Sequence, residues 1–113
     1  MPTMLKQDSI VIVHLVNPTE KFWGVLQDLD PSGLVLRGLS VTSFDDWMFQ
    51  VARKEHQALG LSTMFVPLFR VERIFMDEQI GEVESYRQRF QTQVGEPVEH
   101  FLGLEVTENE IPS

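Results

Sequence analysis

The chain has no cysteine. That excludes disulfide cross-links and thiolate-held metal ions, and it accords with a reducing cytoplasm. Nor does any apolar run approach the roughly 18 to 20 residues a membrane helix needs. The segment Met1-Pro2-Thr3-Met4-Leu5-Lys6 has no long apolar core, so no secretory leader is expected. The expectation is a cytoplasmic protein with no membrane partner. Cations are scarce as well: nine Lys and Arg stand against seventeen acids, for a net charge of −8. The shortage is uneven. Residues 1–76 hold eight acids and seven Lys/Arg, whereas residues 77–113 hold nine acids and only Arg87 and Arg89. An acidic end repels phosphate backbones, because nucleic-acid affinity rests on Lys and Arg displacing counterions. Its ordinary reading is a solubilising, partly disordered tail.

Signs of chemistry are also few. His14, His56 and His100 are far apart, and Glu55-His56 lacks the second histidine at helical spacing that a zinc site requires. Asp45-Asp46 is a carboxylate pair, but at a helix start it complements the helix dipole. Gly24, Gly33 and Gly38 are too widely spaced for a phosphate-cradling loop. No nucleophile sits on an elbow-type turn. The reading is a non-catalytic protein with no metal and no cofactor.

What the chain does have is strands. With 113 residues, 42% hydrophobic and 23% charged, it suits one globular domain with a modest core. Residues 9–16 are almost wholly apolar and β-branched, as in a strand buried on both faces. Asn17-Pro18 opens a turn, residues 22–29 form a second strand, and Asp30-Pro31-Ser32-Gly33 makes a tight turn. Leu34–Val41 is the third strand, with Gly38 a bulge or close-approach point. Thr42 or Ser43 then caps a helix predicted over 44–59 and stopped by Gly60. Residues 62–66 return to strand, Pro67 forces a bend or a short helical turn, and Val71–Met76 is the last strand. Val83, Tyr86, Phe90 and Val94 give the stripe of a second helix over 82–94, ended by Gly95-Glu96-Pro97. An apolar knot follows at Phe101-Leu102-Gly103-Leu104-Glu105-Val106.

Gly24, Leu26, Leu29 and Asp30 followed by Leu34-Val35-Leu36 resemble the first motif of the Sm-like family, a hydrophobic strand, then Gly-x-Leu-x-x-Leu-Asp, then an apolar run. Phe65-Val66-Pro67-Leu68-Phe69-Arg70-Val71-Glu72-Arg73-Ile74 is similar to the family's second motif, two short strands across a tight bend. The resemblance covers residues 9–40 and 63–77, about 47 of 113 positions. It implies a mainly β fold: a five-stranded, strongly bent Sm-like or SH3-like barrel over residues 1–80 with an inserted helix, and an acidic helix and tail over 81–113. It implies a homo-oligomeric ring of about five to seven copies, joined by strand edges, that scaffolds or binds an RNA or protein partner. By resemblance the ligand positions are Asp30, Gly33 and Arg70, and the joining edge is Val71, Arg73, Ile74 and Phe75.

The departures concern RNA. RNA-binding Sm relatives carry an Asn soon after the Asp and a basic-Gly or Lys-His pair in the second bend. Here Gly33 stands near the first position and Pro67-Leu68-Phe69 fills the second. Asp30 alone reads as a turn residue. Trp23, Phe44, Trp47, Phe49, Phe65 and Phe69 are many large groups for a small barrel, and those left outside would mark a partner site. The alternative is an SH3-like protein-interaction domain, monomer or dimer, with an acidic regulatory tail.

Overall fold

The computed structural model describes residues 5–54 and 60–104. Five antiparallel strands form one sheet: β1 (Ile10–Leu15), β2 (Glu20–Asp30), β3 (Gly33–Ser40), β4 (Ser62–Pro67) and β5 (Val71–Met76). Their spatial order is β4-β3-β2-β1-β5. A short 3-10 turn, Leu68–Arg70, joins the two outer strands, as Pro67 foretold. Among the described residues the sheet is not closed: β4 pairs only with β3 and β5 only with β1.

Both faces of the sheet are covered. Val11, Val13, Leu15, Leu26, Leu34, Leu36 and Val66 form one buried cluster. Ile10, Trp23, Val25 and Leu39 point to the opposite face and pack under two helices, α1 (Phe44–Ala52) and α2 (Tyr86–Val94), and a 3-10 turn at Val98–Phe101. Such double burial explains the near-continuous apolar character of β1. On α1 the buried residues Phe44, Trp47, Met48 and Val51 repeat at i, i+3, i+4 and i+7. Aromatic rings link the layers: Trp23 lies 4.9 Å from Phe44, Phe44 4.9 Å from Tyr86, Trp47 5.3 Å from Phe90, and Phe90 5.4 Å from Phe101. Phe90, Val98 and Leu102 share the cluster with Trp23 and Trp47, so α2 and the turn after it are part of the body.

Two glycines mark the closest approach of β2 and β3. Gly24 of β2 lies opposite Gly38 of β3. A Cβ on Gly24 would sit 2.3 Å from the Arg37 carbonyl oxygen, and one on Gly38 would sit 2.0 Å from the Trp23 carbonyl oxygen. The strands approach too closely there for any side chain. Gly38 is thus a close-approach residue, while the register shift lies between Leu26 and Asp28.

Several boundaries differ from the sequence reading. The first helix ends at Ala52, well before Gly60, with Lys54 at φ 58 just beyond its cap. The rest of the expected span, 55–59, lies outside the described residues, as does Val106 of the apolar knot. Ser43 stands at the cap position of α1 but makes no capping bond; Ser40 instead accepts from the Thr42 amide at 3.3 Å. The second helix starts at Tyr86, not at residue 82, because Ser85 and Gln88 form a reciprocal capping box there.

Candidate interaction surface

The two outer strands each leave one side unpaired among the described residues. Around them lie large apolar groups that the cores do not absorb. Phe65 of β4 is 57% exposed, and Phe69 in the 3-10 turn is 85% exposed, with Leu68 also open to solvent. Phe75 of β5 is 37% exposed. Trp23, Phe44 and Trp47 are buried, so the aromatic surplus falls on the β4–β5 side of the molecule and on Phe49 of α1. Alternation explains it: Val66 faces the inner cluster, so its neighbour Phe65 faces out.

The positions assigned by resemblance fall into two groups. On β5, Val71 and Ile74 are half-buried against the inner cluster, and Arg73 and Phe75 are exposed. Arg73 pairs with Glu72 at 3.5 Å and lies 6.0 Å from the Phe75 ring centre. Asp30, Gly33 and Arg70 are held by internal contacts. The Asp30 carboxylate accepts from the Ser32 amide at 2.8 Å and the Ser32 hydroxyl at 2.6 Å, and those bonds hold it below the usual carboxylate range. A Cβ on Gly33 would meet the Val66 carbonyl oxygen at 2.3 Å and the Phe65 ring at 2.7 Å. Arg70 donates from Nε to the Val16 carbonyl at 2.8 Å and from one terminal nitrogen to the Pro18 carbonyl at 2.7 Å and to Glu20 at 3.1 Å. It staples the β1–β2 loop to the 3-10 turn. Asp30 and Gly33 are register partners at the β2–β3 turn and Gly33 pairs with Pro67, while the Arg70 side chain turns to the β1–β2 loop.

His14 of β1 lies directly across from Lys21 of β2 and Arg73 of β5. Its ring rests 4.8 Å from Phe75. Burial, reinforced by the charges of Lys21 and Arg73 and only partly opposed by Glu72, pushes its pKa below the ordinary histidine value. Among the described residues no group of three or more His, Cys, Asp or Glu side chains could hold a metal ion. No helix among them is long and apolar enough to cross a membrane.

One polar junction escaped the sequence reading. Buried Asp77, just after β5, accepts from the Trp23 indole nitrogen at 3.1 Å and from the Tyr86 and Arg87 amides at 2.8 and 3.0 Å. It joins the sheet, the aromatic core and the first turn of α2. Arg87 in turn pairs with buried Glu99 at 2.5 Å. The Ser-x-x-Gln box at Ser85 was visible in the sequence and fixes the helix start; nothing local marks Asp77 as its long-range partner.

No family model matches this sequence, and no curated protein or solved structure matches it.

Proposed function

We propose that this chain is a non-catalytic, Sm-like small-barrel module that joins copies of itself through its two outer strands and serves as a scaffold or binding platform. The observation that carries this reading is the sheet order β4-β3-β2-β1-β5, which leaves β4 and β5 each with an open side. An open edge is a template for pairing with another chain, and proteins blunt it unless pairing is its use. Pro67 on β4 and the Glu72–Arg73 pair on β5 guard the edges only in part, and exposed Phe65, Phe69 and Phe75 flank them. Aromatics on a rim of this kind are the usual material of an interface core.

RNA is the less favoured partner. The net charge of −8 opposes phosphate, and Asp30 and Arg70 are engaged in turn and loop contacts. Sedimentation velocity tests the reading. The expected species is a closed ring of about five to seven 13.0 kDa chains. A mass of one or two chains would replace it with the SH3-like reading, in which Phe69 and its neighbours meet a peptide. An oligo(U) titration at low salt should show no binding; tight binding that falls steeply with salt would restore RNA as the partner.

A further inference from the structure

The segment between β5 and α2 is built as a rigid turn, yet it displays aliphatic side chains to solvent. Ile80 and Val83 exchange both backbone hydrogen bonds at 2.9 Å across Gly81-Glu82, with Gly81 at φ +59 as a primed hairpin turn requires. The Gln79 side-chain amide donates to the Gly81 carbonyl at 2.9 Å, and Gln88 of α2 donates to Gln79 at 2.9 Å. Buried Asp77 and Ser85 fix the two ends. Within this frame Ile80 is 61% and Val83 70% exposed. They border a hollow of about 270 Å³ that Ile12, Val41, Phe75 and Tyr86 also line. A pre-ordered apolar ridge beside a hollow loses little freedom on binding, which is what an interface centre needs.

The rim of the ridge identifies its partner. Glu78, Glu82 and Glu84 are exposed around it and residues 77–85 contain no Lys or Arg, while Lys21 and His14 line the far wall of the hollow, so the acidic rim lies on the turn side. The matching surface therefore carries an apolar group with cations beside it. The last turn of α1 is such a surface: Phe49 is 37% exposed, the Arg53 guanidinium lies 5.7 Å from its ring centre, and exposed Lys54 follows. We infer that the Phe49–Arg53–Lys54 end of α1 in one copy docks on the Ile80–Val83 turn of another, with Arg53 and Lys54 facing Glu78, Glu82 and Glu84. The contact is heterologous, since two different patches meet, and it lies beside β5 through Phe75 but away from the β4 edge that carries Phe65. Copies of a chain with net charge −8 repel one another, so the local pairing of opposite charges sets both register and orientation.

Sedimentation velocity over a range of concentrations tests this, with folding of each variant checked by circular dichroism. Wild type should show a self-association step that weakens as salt rises. The variants R53E/K54E and E82K/E84K should each lose that step, by tenfold or more in dissociation constant. Mixing the two should restore it, because each keeps the patch the other lacks. Phe65→Lys, on the β4 edge, should leave this step intact even where it breaks a ring joined by strand edges; loss of the salt-sensitive step in that variant would assign it to the strand edge and overturn the inference. The inference is overturned if the charge-reversed variants associate as wild type does, or if the mixture of two folded variants fails to regain the step. It is equally overturned if wild type shows no such step but binds a synthetic peptide of Phe flanked by lysines, which would make the ridge a site for another protein.

Discussion

Replacing Asp77 by alanine should cost this fold a large part of its stability. The carboxylate accepts from the Trp23 indole nitrogen and from two amides of the first turn of α2. Deleting it strands three donors, and a buried donor left unmatched costs about 1–3 kcal/mol. Asp77 also borders surface hollows from which water can reach some of those donors, so the low end of that range applies to each. The expected loss is about 3–4 kcal/mol, against a total of about 5–15 kcal/mol for a domain. Buried Trp23 and Trp47 report unfolding by fluorescence. With a urea slope of about 1–3 kcal/mol per molar, the midpoint should fall by about 2 M at unchanged slope. Asp77→Asn keeps one acceptor oxygen and loses the charge, so its cost should be intermediate. A double-mutant cycle with Trp23→Phe should return a coupling of about 1 kcal/mol for the indole bond. If Asp77→Ala lies within about 0.5 kcal/mol of wild type, as an ordinary surface substitution would, the junction is not what ties α2 to the sheet.

Gly24→Ala should destabilise by about 3 kcal/mol or leave the protein insoluble, since its Cβ meets backbone that cannot yield; chemical denaturation reads the difference. Phe69→Asp should leave the unfolding free energy within about 0.5 kcal/mol of wild type while lowering the solution mass, because the ring is almost fully exposed. His14 has a folded pKa below its ordinary 6.5, so the unfolded chain binds the proton more readily. Stability should therefore be intact above that value and fall as pH drops from 6.5 towards the folded value; the thermal midpoint of His14→Gln should be flatter across that window. Arg70→Met should cost about 1–2 kcal/mol and speed amide exchange in the β1–β2 loop, whose carbonyls it holds.

The strands were legible because their signals are local and agree with each other. β-branched runs, Asn17-Pro18, Asp30-Pro31-Ser32-Gly33 and Pro67 each punctuate the chain where the structure does. The start of α1 and its buried stripe were legible for the same reason. Its end was not: Gly60 is a stop signal, but the helix had already closed at Ala52 with a left-handed Lys54. Val83 sits at helical spacing from Tyr86 and Phe90, so periodicity drew it into α2; the capping box and the Gly81 turn exclude it. The site positions transferred by resemblance rested on residue type, and residue type does not say that Arg70 is spent on Val16 and Pro18. Asp77 was illegible because its three partners lie 54, 9 and 10 residues away, and no window along the chain contains them all.

The helical layer explains why the surface has the form it does. It covers the sheet face that carries Trp23, Val25 and Leu39, and it pairs its own ends, Arg89 of α2 with Asp45 of α1 and Arg87 with Glu99. Coverage of that face removes most of the aromatic surplus from solvent. What remains is not scattered. Phe65, Leu68 and Phe69 lie where β4 passes into β5, and Phe75, Ile80 and Val83 line one hollow beside β5. β4 ends in Pro67 and β5 carries exposed Glu72 and Arg73, so the strand edges themselves are partly guarded. Around the Ile80–Val83 turn, Glu78, Glu82 and Glu84 surround the exposed aliphatics without replacing them. On the docking inferred above, the apolar centre would supply affinity, and those three carboxylates would decide which surface reaches it.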